Sequence, residues 1–317
     1  MKRTSGYILK KLLTAAATLA AVSVLVFFAF ALIPGDPAVK KLGTQATPEA
    51  LEMMREKMGL NAPLPMRYLK WVTGFIQGDP GISYSYDMPV SSLLWDKLPV
   101  TMILVFMAFA ILVLISVPLS ILHARNEGKR SDKVLLFIGQ GIMAVPPFFM
   151  GIILTWLFGI VLKIFVPGGY VSYKRDAAGF FYYMFFPALA IALPRIAMTV
   201  KLLRAQILKE AREDYVRTAY SRGNPTMAVL YRHVLKNAFL PALTFLSMNL
   251  TDMVAGSVVI EQVFGIPGYG RFLLNAILGR DYPVVETIVM GLAAFILLVN
   301  MVTDILYRML DPRIGES

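Results

Sequence analysis

The sequence predicts an all-α integral membrane protein with six transmembrane helices, and three observations carry that prediction. Its 317 residues are 57% hydrophobic and only 16% charged, with a mean hydropathy of +0.64, above the range of soluble domains of ordinary composition. Several uncharged runs reach the ~20 residues that a helix needs to cross a bilayer. Lys and Arg, the source of a net charge of +11, gather in short clusters beside those runs, as topology signals do, rather than in a nucleic-acid footprint. The lipid bilayer is therefore the expected partner, and nucleic acid is not. The absence of Cys excludes disulfides and thiolate chemistry, and His123 and His233 stand far apart and outside metal-ligand spacing.

Lys2, Arg3, Lys10 and Lys11 precede the first apolar run, Leu12 to Ile33. Ala29-Phe30-Ala31 resembles a signal-peptide cleavage site, but the run is longer than the ~7–15 residues of a secretory h-region. Pro34-Gly35-Asp36-Pro37 ends the helix. From there to Lys97 the charges balance, seven basic against seven acidic, which suits the outer side of a membrane. Within this segment Pro48–Met58 and Tyr68–Ile76 read as short amphipathic helices stopped at Gly59 and near Gly78. Residues 34–99 are thus expected to form an extracytoplasmic cap after a first region, 1–33. Residues 100–317 would be the core that holds the other five spans.

Val100 to Leu122 is a charge-free second span, closed by Arg125, Lys129, Arg130 and Lys133. Val134 to Leu162 is a third, broken at Pro146-Pro147, whose freed carbonyls require protein neighbours. Phe180 to Val200 is the fourth, with Arg195 expected to snorkel toward the basic end. Phe239 to Ile260 and Val284 to Leu306 are the fifth and sixth, separated by a Gly- and Pro-rich outer loop. Six spans with both termini cytoplasmic satisfy the charge bias at each short inner loop.

Between the fourth and fifth spans, about 201–240, lies a basic stretch with eight Lys and Arg from Lys201 to Lys236. Ile207, Leu208, Ala211, Tyr215, Val216, Ala219 and Tyr220 recur at helical spacing up to Gly223. Asn224 is a good N-cap and Pro225 a good first residue, so a second helix is expected over Thr226–Lys236. Its stripe would be Met227, Leu230, Tyr231, Val234 and Leu235. A helix, a glycine corner and a capped helix make a lever suited to docking another protein, against the plainer reading of a lipid-binding surface helix.

Polar groups inside the spans are few. Asp252 falls near mid-bilayer, where an unpaired charge costs several kcal/mol; it shares a helix face with Asn249 and Gly256. It reads either as a pathway-lining group or as a structural contact. Glu261 points away from it, beside the outer loop and close to Phe264, and reads first as an anchor for that loop and second as a gate. Asp304 has Arg308 four residues on, an expected interfacial pair.

Arg217-Thr218-Ala219, Gly223, Arg232-His233, Lys236-Asn237-Ala238 and Pro241 resemble the cytoplasmic loop of permease subunits of binding-protein-dependent ABC importers, in the dipeptide, oligopeptide and nickel branch. Gly256-Ser257-Val258-Val259-Ile260-Glu261-Gln262-Val263-Phe264, Pro267-Gly268-Tyr269-Gly270, Arg280-Asp281-Tyr282-Pro283 and Asp311-Pro312-Arg313 extend the likeness. Pro34-Gly35-Asp36-Pro37, Gly59-Leu60 and Gly78 to Ser83 carry it to the start of the chain. Arg217 and Thr218 replace the Glu-Ala of the wider importer pattern, and Pro80 stands where this branch more often has Leu. The resemblance implies a second, similar permease, two ATPase subunits and an extracytoplasmic substrate-binding protein as partners. It also implies location in the inner membrane. The coupling residues would be Arg217, Thr218, Ala219, Gly223, Asn224, Pro225, Met227, Leu230, Tyr231, Arg232, His233, Lys236 and Asn237, with residues 225–236 seated in an ATPase groove. Asn249, Asp252, Gly256, Glu261 and Phe264 would serve the pathway or gate.

The sequence has no G-x-x-x-x-G-K-[ST] loop, so ATP hydrolysis is not expected on this chain, and no catalytic residue, metal site or bound cofactor stands out. ATP and Mg would belong to the ATPase partners, and the substrate would be a peptide or a nickel or metal chelate. A free-standing secondary transporter or channel is the rival reading, and it requires paired mid-membrane charges or repeated broken spans.

Overall fold

The computed structural model describes residues 2–310, with side chains for residues 9–307 and Met309. The first elements are α1 (Lys2–Ala31), α2 (Pro37–Leu42), α3 (Pro48–Lys57), α4 (Leu64–Ile76), α5 (Val90–Trp95) and α6 (Leu98–Arg125). Next come α7 (Arg130–Met143), α8 (Pro147–Leu154) with a π-helical extension Thr155–Val161, α9 (Ala177–Glu210) and α10 (Asp214–Ser221). α11 (Thr226–Val229) runs through a π turn, Leu230–Val234, into α12 (Leu235–Phe264), followed by α13 (Tyr269–Gly279) and α14 (Tyr282–Leu310). Among the described residues five helices are long and apolar enough to cross a membrane, and α7 with α8 makes a sixth candidate bent by 104° at Pro146-Pro147. The proline pair thus breaks the third span, as the sequence predicts, and α8 returns against α9 and α12. Gly151 permits that approach, since a Cβ there would sit 3.0 Å from the Phe264 ring. Asp304 is described, whereas the side chain of Arg308 and the Asp311-Pro312-Arg313 motif lie outside the described residues.

Two compact units emerge, one from residues 1–100 with 267–301 and one from 101–266 with 302–317. In the first, Asp36 caps α2 by accepting from the Ala38 amide (2.8 Å) and holds α3 through Arg55 Nε (2.7 Å). Thr47 caps α3, and Pro48 opens it, as expected. Phe27 packs at 5.4–5.9 Å from the rings of Phe28, Tyr68 and Trp71, tying α1 to α4. The turn at 83–85 is held by the buried Asp281, which accepts from Ser83 Oγ (2.5 Å), Tyr84 N (2.9 Å) and Ser85 N (3.1 Å). A core of Val90, Leu94, Phe272, Ala276, Val285 and Ile288 joins α5, α13 and α14.

In the second unit α9 is central, packed by α7, α8 and α12. Rings of Phe158, Phe165, Tyr183, Phe186 and Phe264 fill one end. At the other end Asp132, 2% exposed, accepts from Arg204 Nε (3.1 Å) and Nη2 (2.6 Å) and from the Gly128 amide (3.3 Å), and lies 3.1 Å from His123 Nδ1. This buried network fastens the α6–α7 loop to α9.

Candidate functional site

The basic stretch between α9 and α12 folds as a projection standing on a buried base. Ile207, Leu203, Val216, Ala219, Val229, Leu230, Val234 and Ala238 form one core cluster with Ile121 and Ala124 of α6. α9 carries the first apolar stripe only to Glu210; a turn at 211–213 then starts the separate helix α10. α10 turns its Val216 and Ala219 into the core and leaves Arg217, Thr218 and Tyr220 exposed.

The corner is where the sequence places it. Gly223 has φ +81 with open space around its Cβ position, a left-handed conformation that disfavours any side chain. Asn224 acts differently from the expectation. Its Nδ2 donates to the Ala219 carbonyl at 3.0 Å, closing the end of α10, while Pro225 takes the N-cap position of α11.

The second helix requires a correction. Thr226–Lys236 is not a separate unit: it runs through the π turn straight into α12, so that Thr226–Phe264 is one continuous candidate span. The wider π turn carries more residues per turn than an α-helix, and the buried positions fall at Leu230, Val234, Ala238 and Ala242, every fourth residue. Tyr231, expected in the apolar stripe, is 45% exposed. Leu230 and Val234 face the protein's own core, and Met227 packs against it. The apolar stripe is therefore the foot of the projection and not its outer face. That outer face carries Arg217, Thr218, Gly223, Pro225, Tyr231, Arg232, His233, Lys236 and Asn237.

Tyr215 was legible in the sequence only as part of the stripe, yet it joins three elements. Its hydroxyl donates to Glu210 Oε1 (2.7 Å) at the end of α9 and accepts from Asn237 Nδ2 (3.0 Å) on α12. Partial burial, reinforced by the Glu210 carboxylate, pushes its phenol up to about 12.

A polar cluster lies within the spans. Arg195 Nη1 of α9 reaches Asp252 Oδ2 and Asn249 Oδ1 of α12, both at 3.3 Å, and lies against Gly256. Arg195 therefore does not snorkel to the helix end; an acidic and an amide acceptor on the facing helix hold it. Asn249 is 3% exposed, whereas the Asp252 side chain is 65% exposed, so the carboxylate stands at the open edge of the cluster. Glu261 and Phe264 are elsewhere. Glu261 is fully buried and accepts from Thr101 Oγ1 at 2.5 Å; Phe264 is 3% exposed and its carbonyl accepts from the Tyr183 hydroxyl at 2.5 Å. Both hold the end of α12 against α6 and α9 rather than a loop, and neither lines an open surface of this chain.

Residues 116–316 match the family described as the inner membrane component of binding-protein-dependent transport systems, and residues 5–105 match the N-terminal region of such membrane components. The chain is 34% identical over 308 residues to the probable peptide ABC transporter permease protein y4tP of Sinorhizobium fredii, across 97% of this chain and 98% of that protein. It is 31% identical to the oligopeptide transport system permease protein AppB of Bacillus subtilis, over 98% of this chain and 99% of that protein. With the dipeptide transport system permease protein DppB of Alkalihalophilus pseudofirmus it shares 29% identity over the same fractions.

Proposed function

The chain belongs to the family of inner membrane components of binding-protein-dependent transport systems, and from that premise we propose that it forms half of the translocation pathway of an ATP-driven peptide importer. It is a multi-pass permease subunit. A second, similar permease would supply the other half of the pathway, and a substrate-binding protein outside the membrane would deliver the cargo. Peptide is favoured over nickel by the peptide, oligopeptide and dipeptide systems named for its relatives. The charge bias of the basic loops supports a topology with both termini and the α9–α12 projection on the cytoplasmic side and the cap between α1 and α6 outside.

Two ATPase subunits would carry ATP and Mg, one of them docking on the projection. The observation that carries this reading is the division of the projection into a buried base and an exposed corner. α10 and the Gly223-Asn224-Pro225 corner project from a core that reaches α6 and α9, so a push on the corner is transmitted to spans rather than absorbed by a loose loop. A membrane-surface helix alone would turn its apolar stripe to lipid; here the stripe is already covered by protein. The Arg195–Asp252 pair is a feature that a secondary transporter would share, but one bent span stands among the described residues, and that architecture calls for a matched pair.

Replacing Gly223, Asn224 and Pro225 together by Ala tests the coupling. One unbroken helix through the corner should abolish ATP-driven uptake in proteoliposomes containing the full set of partners, with membrane insertion intact. Uptake at the wild-type rate would sink the lever.

A further inference from the structure

The first unit contains an open-sided cavity of about 800 Å³ between α1, α3, α4, the turn at 80–87 and the start of α14, within the size range of small-ligand sites. It contains polar groups that the fold leaves unmatched. Glu286, one turn into α14, is 5% exposed and lacks a hydrogen-bond or ion-pair partner among the described residues. Trp71 Nε1 is buried in the same wall without an acceptor. Arg67 and Lys70, three apart on one face of α4, likewise lack an ion pair among the described residues, whereas Lys41 and Lys57 are both satisfied by Asp87 at 2.6 and 3.5 Å. Tyr84 lines the cavity too; burial pushes its phenol up to about 12, with the Arg67 charge opposing and the Glu286 and Asp281 charges adding. Arg67 thus acts on the Tyr84 hydroxyl through a side-chain hydrogen bond and on Glu286 through its charge alone, with no ion pair joining Arg67 and Glu286 among the described residues.

A carboxylate removed from water without a counter-charge in contact is costly, and so is an orphaned indole N–H. Phe27, Met54, Met58 and Met66 supply apolar wall between these groups. The geometry points to a binding site for a small zwitterion, its ammonium group on Glu286, its anionic group on Arg67 and Lys70, and an oxygen accepting from Trp71 Nε1. A free short peptide and the headgroup of an ethanolamine phospholipid share that chemistry. The site would bind its ligand whether or not the chain couples to an ATPase.

The test uses the full chain in nanodiscs of phosphatidylcholine, titrated with trialanine by calorimetry. Saturable binding is expected, at least tenfold weaker for the N-acetyl, C-amide tripeptide and for Glu286→Gln. Arg67→Gln, at a half-buried position on a cap helix, should weaken binding similarly and guards against misfolding of the Glu286 variant. In a second arm, native mass spectrometry of chain purified from mixed-lipid nanodiscs reads retained phosphatidylethanolamine. Retention by wild type, lost in both variants and competing with trialanine, assigns the site to the headgroup; trialanine binding indifferent to that lipid assigns it to peptide. Absence of both, or equal binding by wild type and the two variants, overturns the site. Neither arm reads uptake, so failure here leaves the importer reading standing.

Discussion

Asp132 illustrates how a single residue can carry more of this fold than its place in the sequence suggests. Its carboxylate receives two bonds from Arg204 and one from the Gly128 amide beside His123. Asp132→Ala leaves a guanidinium with 18% exposure without its counter-ion, and breaking such a buried pair costs about 3–5 kcal/mol. A large drop in thermal stability of the detergent-solubilised chain is expected. Asp252 contrasts with it. Its ion pair with Arg195 stands at an open edge, and where that edge is the water-filled pathway such a pair contributes about 0–1 kcal/mol. Asp252→Asn should therefore leave stability and assembly nearly unchanged while altering the kinetics of peptide uptake; unchanged kinetics would remove Asp252 from the pathway. The Arg195 partnership was not legible in the sequence, because the two residues are 57 positions apart on helices whose rotation no periodicity specifies.

At the scale of elements, the α10 corner and the π turn behind it decide what the loop presents. Leu230→Ala removes a side chain from the base of the projection and should cost about 2–5 kcal/mol, seen as a lowered unfolding temperature. Tyr231→Ala, on the exposed face, should leave stability within about 0.5 kcal/mol and weaken ATPase binding instead. Tyr215 ties α9, α10 and α12 through its neutral hydroxyl. Its folded pKa, about 12, lies above the ordinary phenol value near 10, so the folded chain holds the proton more tightly. That contribution is complete below pH ~10 and is lost as pH rises toward ~12. Tyr84 and Tyr269 are raised to about 12 as well, so the measurement is a difference: Tyr215→Phe should flatten part of the alkaline loss of stability relative to wild type. Gly223 and Pro225 mark this corner in the sequence, and the helix after it was legible in type. Its merger with the fifth span was not, since a π turn has no sequence signature comparable to a glycine or a proline and is settled by how Leu230 and Val234 reach the common core.

For the whole molecule, the expectation concerns what the chain does without partners. Reconstituted by itself with ATP on the projection side, it should neither hydrolyse ATP nor accumulate peptide. Both activities should appear when ATPase subunits, the second permease and the binding protein are added, and hydrolysis by the pure chain would contradict the subunit reading.

Hydropathy and the basic clusters were enough to establish the membrane class, the helical architecture and the order of spans, and the prolines and glycine marked the break at Pro146-Pro147 and the corner at Gly223. Each of these follows from local chemistry: the length of an apolar run, a missing amide proton, or a positive φ. The tertiary structure alone decided that Arg195 pairs with Asp252, that Glu261 is tied to Thr101, that Asp132 is enclosed by Arg204 and His123, and that the apolar stripe after Gly223 faces inward. All four depend on which helix faces rotate toward one another, and that is set by packing over the whole unit and by no local pattern.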